Sequence, residues 1–181
     1  RLMGVDPDGE KLKILQDEIG LEIPSHGVKE LIQESDYVLL AVKPNQVRQL
    51  LDDICSRLQT KQVLISIAAG LTLTQLKTYS CGACPVVRVM PNTPAMVQEG
   101  VFALCFDDPS LKEHQKTFVM ELFSSLGTAH ELQDRYFDAF TALAGSGPAY
   151  VFYMMEALVE AGVTLGLTRP QATDMVKTLF S

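Results

Sequence analysis

The segment from Ala144 to Leu167 constrains this chain more than any other. It opens Ala144-Gly145-Ser146-Gly147-Pro148-Ala149-Tyr150 and then runs apolar, with Glu156 and Glu160 as its only charges. Pro148 suits the first turn of a helix, where its missing N–H costs little, and Ser146 is expected to cap that helix. The helix is expected to continue to the break at Gly166-Leu167-Thr168-Arg169-Pro170. Two glutamates cut the apolar run below the length a bilayer needs, so a membrane span is excluded. A helix this apolar must be covered by another domain or another subunit. Glycines 145 and 147 allow backbones to approach closely, and Gly147 is expected to pack tightly against the preceding domain.

Upstream, apolar runs alternate with helical spacing. Leu2–Val5 reads as a strand stopped by Asp6-Pro7-Asp8-Gly9, followed by a helix over Glu10–Ile19 with Gly20 as its C-terminal cap. Short apolar runs at 37–42, 62–67, 86–90, 101–106 and 128–132 read as further strands. Helices are expected at 28–33, 44–58, 72–79 and 111–126. This alternation is the signature of an α/β chain with a doubly wound, parallel sheet. From Asp134 only helices are expected. The reading therefore divides the chain into residues 1–135, a dinucleotide-binding domain, and residues 136–181, a helical domain. Both ends look cut, so a fragment of a longer protein is expected.

The net charge of −7 over 181 residues argues against nucleic acid and anionic membrane surfaces as partners. Cys55, Cys81, Cys84 and Cys105, in a chain that is 47% hydrophobic, suggest a reduced, cytoplasmic protein. Cys81-Gly82-Ala83-Cys84 is a lone C-x-x-C, either a metal or redox site or a surface turn before a strand. No metal-ligand cluster, no G-x-S-x-G nucleophile and no paired histidine and acid is present, and no catalytic residue is assigned.

In sheets of this kind ligands bind at the carboxyl ends of strands, near a switch in strand order. Four such ends are small, kinked or polar. Asp6 is positioned to accept ribose hydroxyls, or is a turn acid in Asp-Pro-Asp-Gly. Ala41-Val42-Lys43-Pro44 joins a strand to a helix start, with Lys43 facing phosphate, ribose or solvent. Ile67-Ala68-Ala69-Gly70 offers a flat floor for a nicotinamide ring. Met90-Pro91-Asn92-Thr93-Pro94 is either a cleft loop presenting the Asn92 amide or a rigid structural turn.

Ala41–Pro44, Ser66–Gly70, Arg88–Pro94 with Glu99-Gly100, and Ala142–Tyr150 occur in one order and at one spacing. Together they resemble the pyrroline-5-carboxylate reductase family along essentially the whole chain. The resemblance implies a Rossmann-like domain, then the start of an all-α dimerisation domain interlocked between two subunits. It implies hydride transfer from NAD(P)H to the C=N bond of 1-pyrroline-5-carboxylate, giving L-proline, in a homodimer or larger assembly of dimers. By position it assigns Asp6, Asp8, Ala41, Val42, Lys43, Pro44, Ala68, Ala69 and Gly70 to the cofactor, and Asn92, Asp134, Gly145 and Ser146 to the substrate side. A carboxylate at Asp6 would repel a 2′-phosphate, so NADH is expected to be preferred over NADPH. The family's Gly-rich phosphate loop and its later Ser/Thr-Gly segment are not in this sequence. Two alternatives remain: a related reductase of hydroxy acids or prephenate, and a non-catalytic dinucleotide-binding protein.

Overall fold

The structure, a computed structural model, describes residues 1–180. Helix α1 spans Gly9–Ile19; the Asp8 carboxylate caps it by accepting from the Glu10 and Lys11 amides, and Gly20 closes it at φ 68°. Helix α2 is Val28–Glu34. The sheet is built from β1 (Tyr37–Leu40), β2 (Val63–Ser66), β3 (Val86–Met90), β4 (Gly100–Cys105) and β5 (Gly127–Glu131). Between them lie α3 (Pro44–Ile54), α4 (Leu73–Tyr79) and α5 (Glu113–Ser124). A short α6 (Phe137–Phe140), a π turn over Thr141–Gly145, α7 (Gly147–Thr164) and α8 (Arg169–Leu179) complete the chain.

The Rossmann-like α/β architecture expected from the sequence is present, with helices on both faces of the sheet; three details differ from expectation. First, the sheet is mixed: β1, β2 and β3 are parallel, β4 runs antiparallel to β3, and β5 is parallel to β4. Residues 91–99 between β3 and β4 are too few for a parallel crossover, which takes roughly a dozen. Second, the strand order β1-β2-β3-β4-β5 contains no reversal among the described residues. Helices still cover both faces, because right-handed crossovers change face when strand direction changes. One core packs α3, α4 and α6 against Val38, Leu40, Leu64 and Val86. The other packs Val119 and Phe123 of α5 against Val63, Ile65, Val87 and Phe102. Third, Leu2–Val5 is no strand of this sheet; Met3 makes a single parallel bridge with Glu22.

The β4–β5 pair depends on glycine. Gly127 lies opposite Gly100 at φ +143°, and a Cβ there would stand 2.0 Å from the Gly100 carbonyl oxygen. The last two helices pair where Gly162 approaches Ala172. Ser146 caps no helix: its backbone is helical, its amide donates to the Thr141 carbonyl at 2.8 Å, and its hydroxyl takes no capping bond. The π turn occupies the place where a cap was expected. Gly147 is open, with nothing within 4 Å of an added Cβ, whereas a Cβ on Gly145 would lie 3.3 Å from Met90 Cε. The tight approach at this junction therefore belongs to Gly145.

Candidate functional site

Parallel strands β1 and β2 send their carboxyl ends to the same edge of the sheet. There the chain forms a cleft of about 940 Å³. Its walls come from three separate segments: Asp6, Pro7 and Lys11; Ala41 to Pro44 with Gln46, Gln49, Leu50 and Asp53 along α3; and Ile67, Ala68 and Ala69. Every residue expected at the cofactor except Asp8 and Gly70 borders this space.

Local chemistry fixes each wall. Asp6 Oδ1 accepts from the Asp8 amide at 2.8 Å, which holds the turn after residue 5. Asp8 spends its carboxylate on α1, and the Lys11 amide, chief among its partners, holds that carboxyl below its usual value. Pro44 occupies the first turn of α3, and Gln46 Oε1 accepts from the Lys43 amide at 3.3 Å. The amino end of α3 thus faces the cleft, where a helix favours anions. Buried Ser66 accepts from the Ala68 amide at 3.3 Å and shapes the turn after β2. Ala68 and Ala69 leave that wall without long side chains.

The residues expected on the substrate side do not border this cleft. Asn92 is committed at both ends of its amide: Nδ2 donates to the Ala144 carbonyl at 3.2 Å, and Oδ1 accepts from the Val101 amide at 2.9 Å. It fastens the loop after β3 to the π turn beside Gly145. Asp134 Oδ1 accepts from Arg88 Nη1 at 2.8 Å and from the Leu73 amide at 3.1 Å.

Arg88 was missed. It is buried in β3, and its guanidinium lies 4.2 Å from the centroid of the Phe137 ring. A charge within Val-Val-Arg-Val-Met, an otherwise apolar strand, requires a partner, and that is the signal the sequence held. Asp108 was missed too. Its buried carboxylate meets Lys77 Nζ at 2.8 Å and accepts from the Val86 amide at 2.8 Å. Burial pushes this carboxyl up, but its bonds with Lys77, Ser110 and Val86 outweigh that and hold it below the ordinary range. The three histidines are all exposed.

Comparison with known proteins finds two family models that match separate parts of the chain. A family model for pyrroline-5-carboxylate reductase dimerisation matches residues 134–181. A model for NADP oxidoreductase, coenzyme F420-dependent, matches residues 2–70. A pyrroline-5-carboxylate reductase of Aquifex aeolicus is 40% identical over 158 residues, covering 87% of this chain and 58% of that protein. The crystal structure of 1-pyrroline-5-carboxylate reductase from Streptococcus pyogenes matches with TM-score 0.84 and 30% identity, over 99% of this chain and 67% of that one. The Plasmodium falciparum pyrroline carboxylate reductase with NADP bound matches with TM-score 0.82 and 31% identity, over 98% and 63%. The chain spans little more than half the length of the curated relatives it matches.

Proposed function

Because the chain belongs to the pyrroline-5-carboxylate reductase family, we propose that the protein reduces 1-pyrroline-5-carboxylate to L-proline with NAD(P)H. The observation that carries this reading is the cleft itself. Segments distant in sequence converge there with two acids (Asp6 and Asp53), two lysines, a helix amino end and an alanine-rich wall. These residue types fit a dinucleotide: an acceptor for ribose hydroxyls, positive potential for phosphate, and a smooth surface for a ring.

When bound, the nicotinamide supplies the hydride. The protein's own part is positioning. Asp6 accepts hydrogen bonds from the adenosine ribose, Lys43 and the amino end of α3 face the phosphates, and Ala68 and Ala69 seat the ring. Gly145 and Ser146 border the substrate, with Asn92 and the Arg88–Asp134 pair holding that junction in register. A protonated cyclic imine is already electrophilic, so orientation contributes more than a strong acid would. We further propose the division at residues 135 and 136, cytoplasmic residence, and assembly as a homodimer or a larger set of dimers. No helix among the described residues is long and apolar enough to cross a membrane.

Cofactor choice follows from charge. Lys11 Nζ sits 3.5 Å from Asp8 Oδ2, while Asp6 borders the cleft with its Oδ1 accepting from the Asp8 amide. Like charges at contact repel, so we propose that NADH is preferred over NADPH. The test is steady-state oxidation of each cofactor by the intact protein with 1-pyrroline-5-carboxylate. Substrate-dependent oxidation yielding L-proline is expected, with the higher kcat/KM for NADH and a narrowed ratio in Asp6→Ser. Absence of L-proline would refute the activity; a higher kcat/KM for NADPH would refute only the cofactor preference.

A further inference from the structure

We propose that Cys55 and Cys81 are a redox-modification site, a thiol pair that closes to a reversible disulfide joining the end of α3 to the end of α4. The Cys81 thiol donates to Cys55 Sγ across 2.8 Å, although the residues are 26 positions apart. The C-x-x-C spacing suggested a different pair, but Cys84 is buried in the core under α4 and takes no part.

The backbone presents both thiols to each other. Cys55 opens the single 3-10 turn Cys55–Arg57 that finishes α3. Cys81 follows α4 in the left-handed region at φ 55°, which side chains other than glycine seldom enter. Its amide donates to the Thr78 carbonyl at 3.1 Å, and the Gly82 amide to the Lys77 carbonyl at 2.9 Å. That bonded turn holds the Cys81 side chain toward α3. A disulfide needs its sulfurs about 2.05 Å apart, so the pair closes by less than roughly 1 Å of movement.

Access separates this pair from the other cysteines. Cys81 is exposed and Cys55 half-buried, while Cys84 and Cys105 are buried. Burial pushes the Cys84 thiol up to about 11 and the Cys105 thiol up to about 12; the Cys81 thiol is raised as well, chiefly by its bond with Cys55, so it is access to the oxidant that sets the pair apart. No group of three or more potential metal-binding side chains exists among the described residues, so two thiols without a third ligand favour redox chemistry over a metal site.

The oxidant is a peroxide. One thiolate attacks a peroxide oxygen, the O–O bond breaks, and a sulfenic acid forms. The second sulfur attacks that sulfenic sulfur, the S–S bond forms, and the S–O bond breaks with loss of water. Two thiols give up two electrons and two protons, and hydrogen peroxide becomes two waters. A dithiol reverses the bond by exchange. The link joins the far ends of the two helices whose preceding turns border the cleft.

The test treats the intact protein with hydrogen peroxide, alkylates the remaining thiols, and maps unreduced peptides by mass spectrometry. Expected is a linked peptide carrying Cys55 and Cys81, two hydrogens lighter than its halves, which dithiothreitol abolishes. The oxidised protein should melt roughly 5 °C or more above the reduced one, a shift absent in Cys55→Ser and in Cys81→Ser. The wild-type peptide map stands whether or not either variant folds. A linkage of Cys81 to Cys84, or over-oxidised Cys81 with no linked peptide, would overturn the proposal.

Discussion

The sheet and the terminal helical hairpin are built from comparably apolar sequence but reach opposite outcomes. In the sheet, β2 is buried at every residue, and the two faces carry separate, well-filled cores. In the hairpin of α7 and α8 the core among described residues is Val159, Ala172 and Val176, with Met155 and Val163 against it. Tyr150, Val151, Phe152, Tyr153 and Met154 stand exposed in succession along α7. The sheet satisfies its own apolar surface because two layers of helix cover it. One partner helix cannot cover an α7 that is apolar on more than one side. A contiguous apolar surface of this kind is a place where further helices or a second subunit are expected to pack.

The same substitution should therefore behave differently in the two regions. Phe102, 1% exposed and packed on Phe123 with ring centroids 5.3 Å apart, should cost about 3–5 kcal/mol as Phe102→Ala. Phe152→Ala, at a side chain 67% exposed, should cost under about 0.5 kcal/mol in an isolated subunit and instead weaken association. Urea unfolding at several protein concentrations separates the two effects. Equal, concentration-independent losses would erase the contrast.

A smaller effect probes how the sheet is fastened. Asp108→Asn leaves the Val86 amide and Lys77 with a weaker partner and should cost roughly 2 kcal/mol at neutral pH. The wild-type carboxyl is held low, so its contribution is full above its unfolded value of about 3.9 and is lost as pH falls through the lower folded value. The variant should show a flatter acid limb below about pH 4 when melting temperature is followed against pH. Parallel acid limbs would contradict this role.

The smallest effects lie at the joint between the regions. Gly147→Ala meets open space and should be neutral within about 0.5 kcal/mol. Gly145→Ala presses on the flexible end of Met90 and should cost up to about 1 kcal/mol. Thermal melts of the two variants check the order, and a larger loss at Gly147 would return the tight contact to that residue.

What the sequence disclosed follows the range of each interaction. Strand and helix positions are local patterns, and the cleft walls were readable because small and polar residues at strand ends are unusual. The direction of β4 was not visible in its apolar run, although the short link from Met90 to Gly100 carried it. The pairs Arg88–Asp134, Lys77–Asp108 and Cys55–Cys81 join residues far apart in the chain. Only the fold brings such groups together. Spacing pointed instead to Cys81–Cys84. Ser146 had the composition of a cap, but its amide instead closes the wider π turn by donating to the Thr141 carbonyl.

The contrast between a self-sufficient sheet and a partner-dependent hairpin is tested most directly by sedimentation velocity of the intact protein at micromolar concentration. Wild type should sediment as a dimer or a larger assembly of dimers. Phe152→Lys, which places a charge on the exposed face of α7, should shift it toward monomer while its circular dichroism retains the sheet. Met155 is unsuited to this test because it packs inside the hairpin. A wild-type protein that sediments as a stable, active monomer would contradict the account.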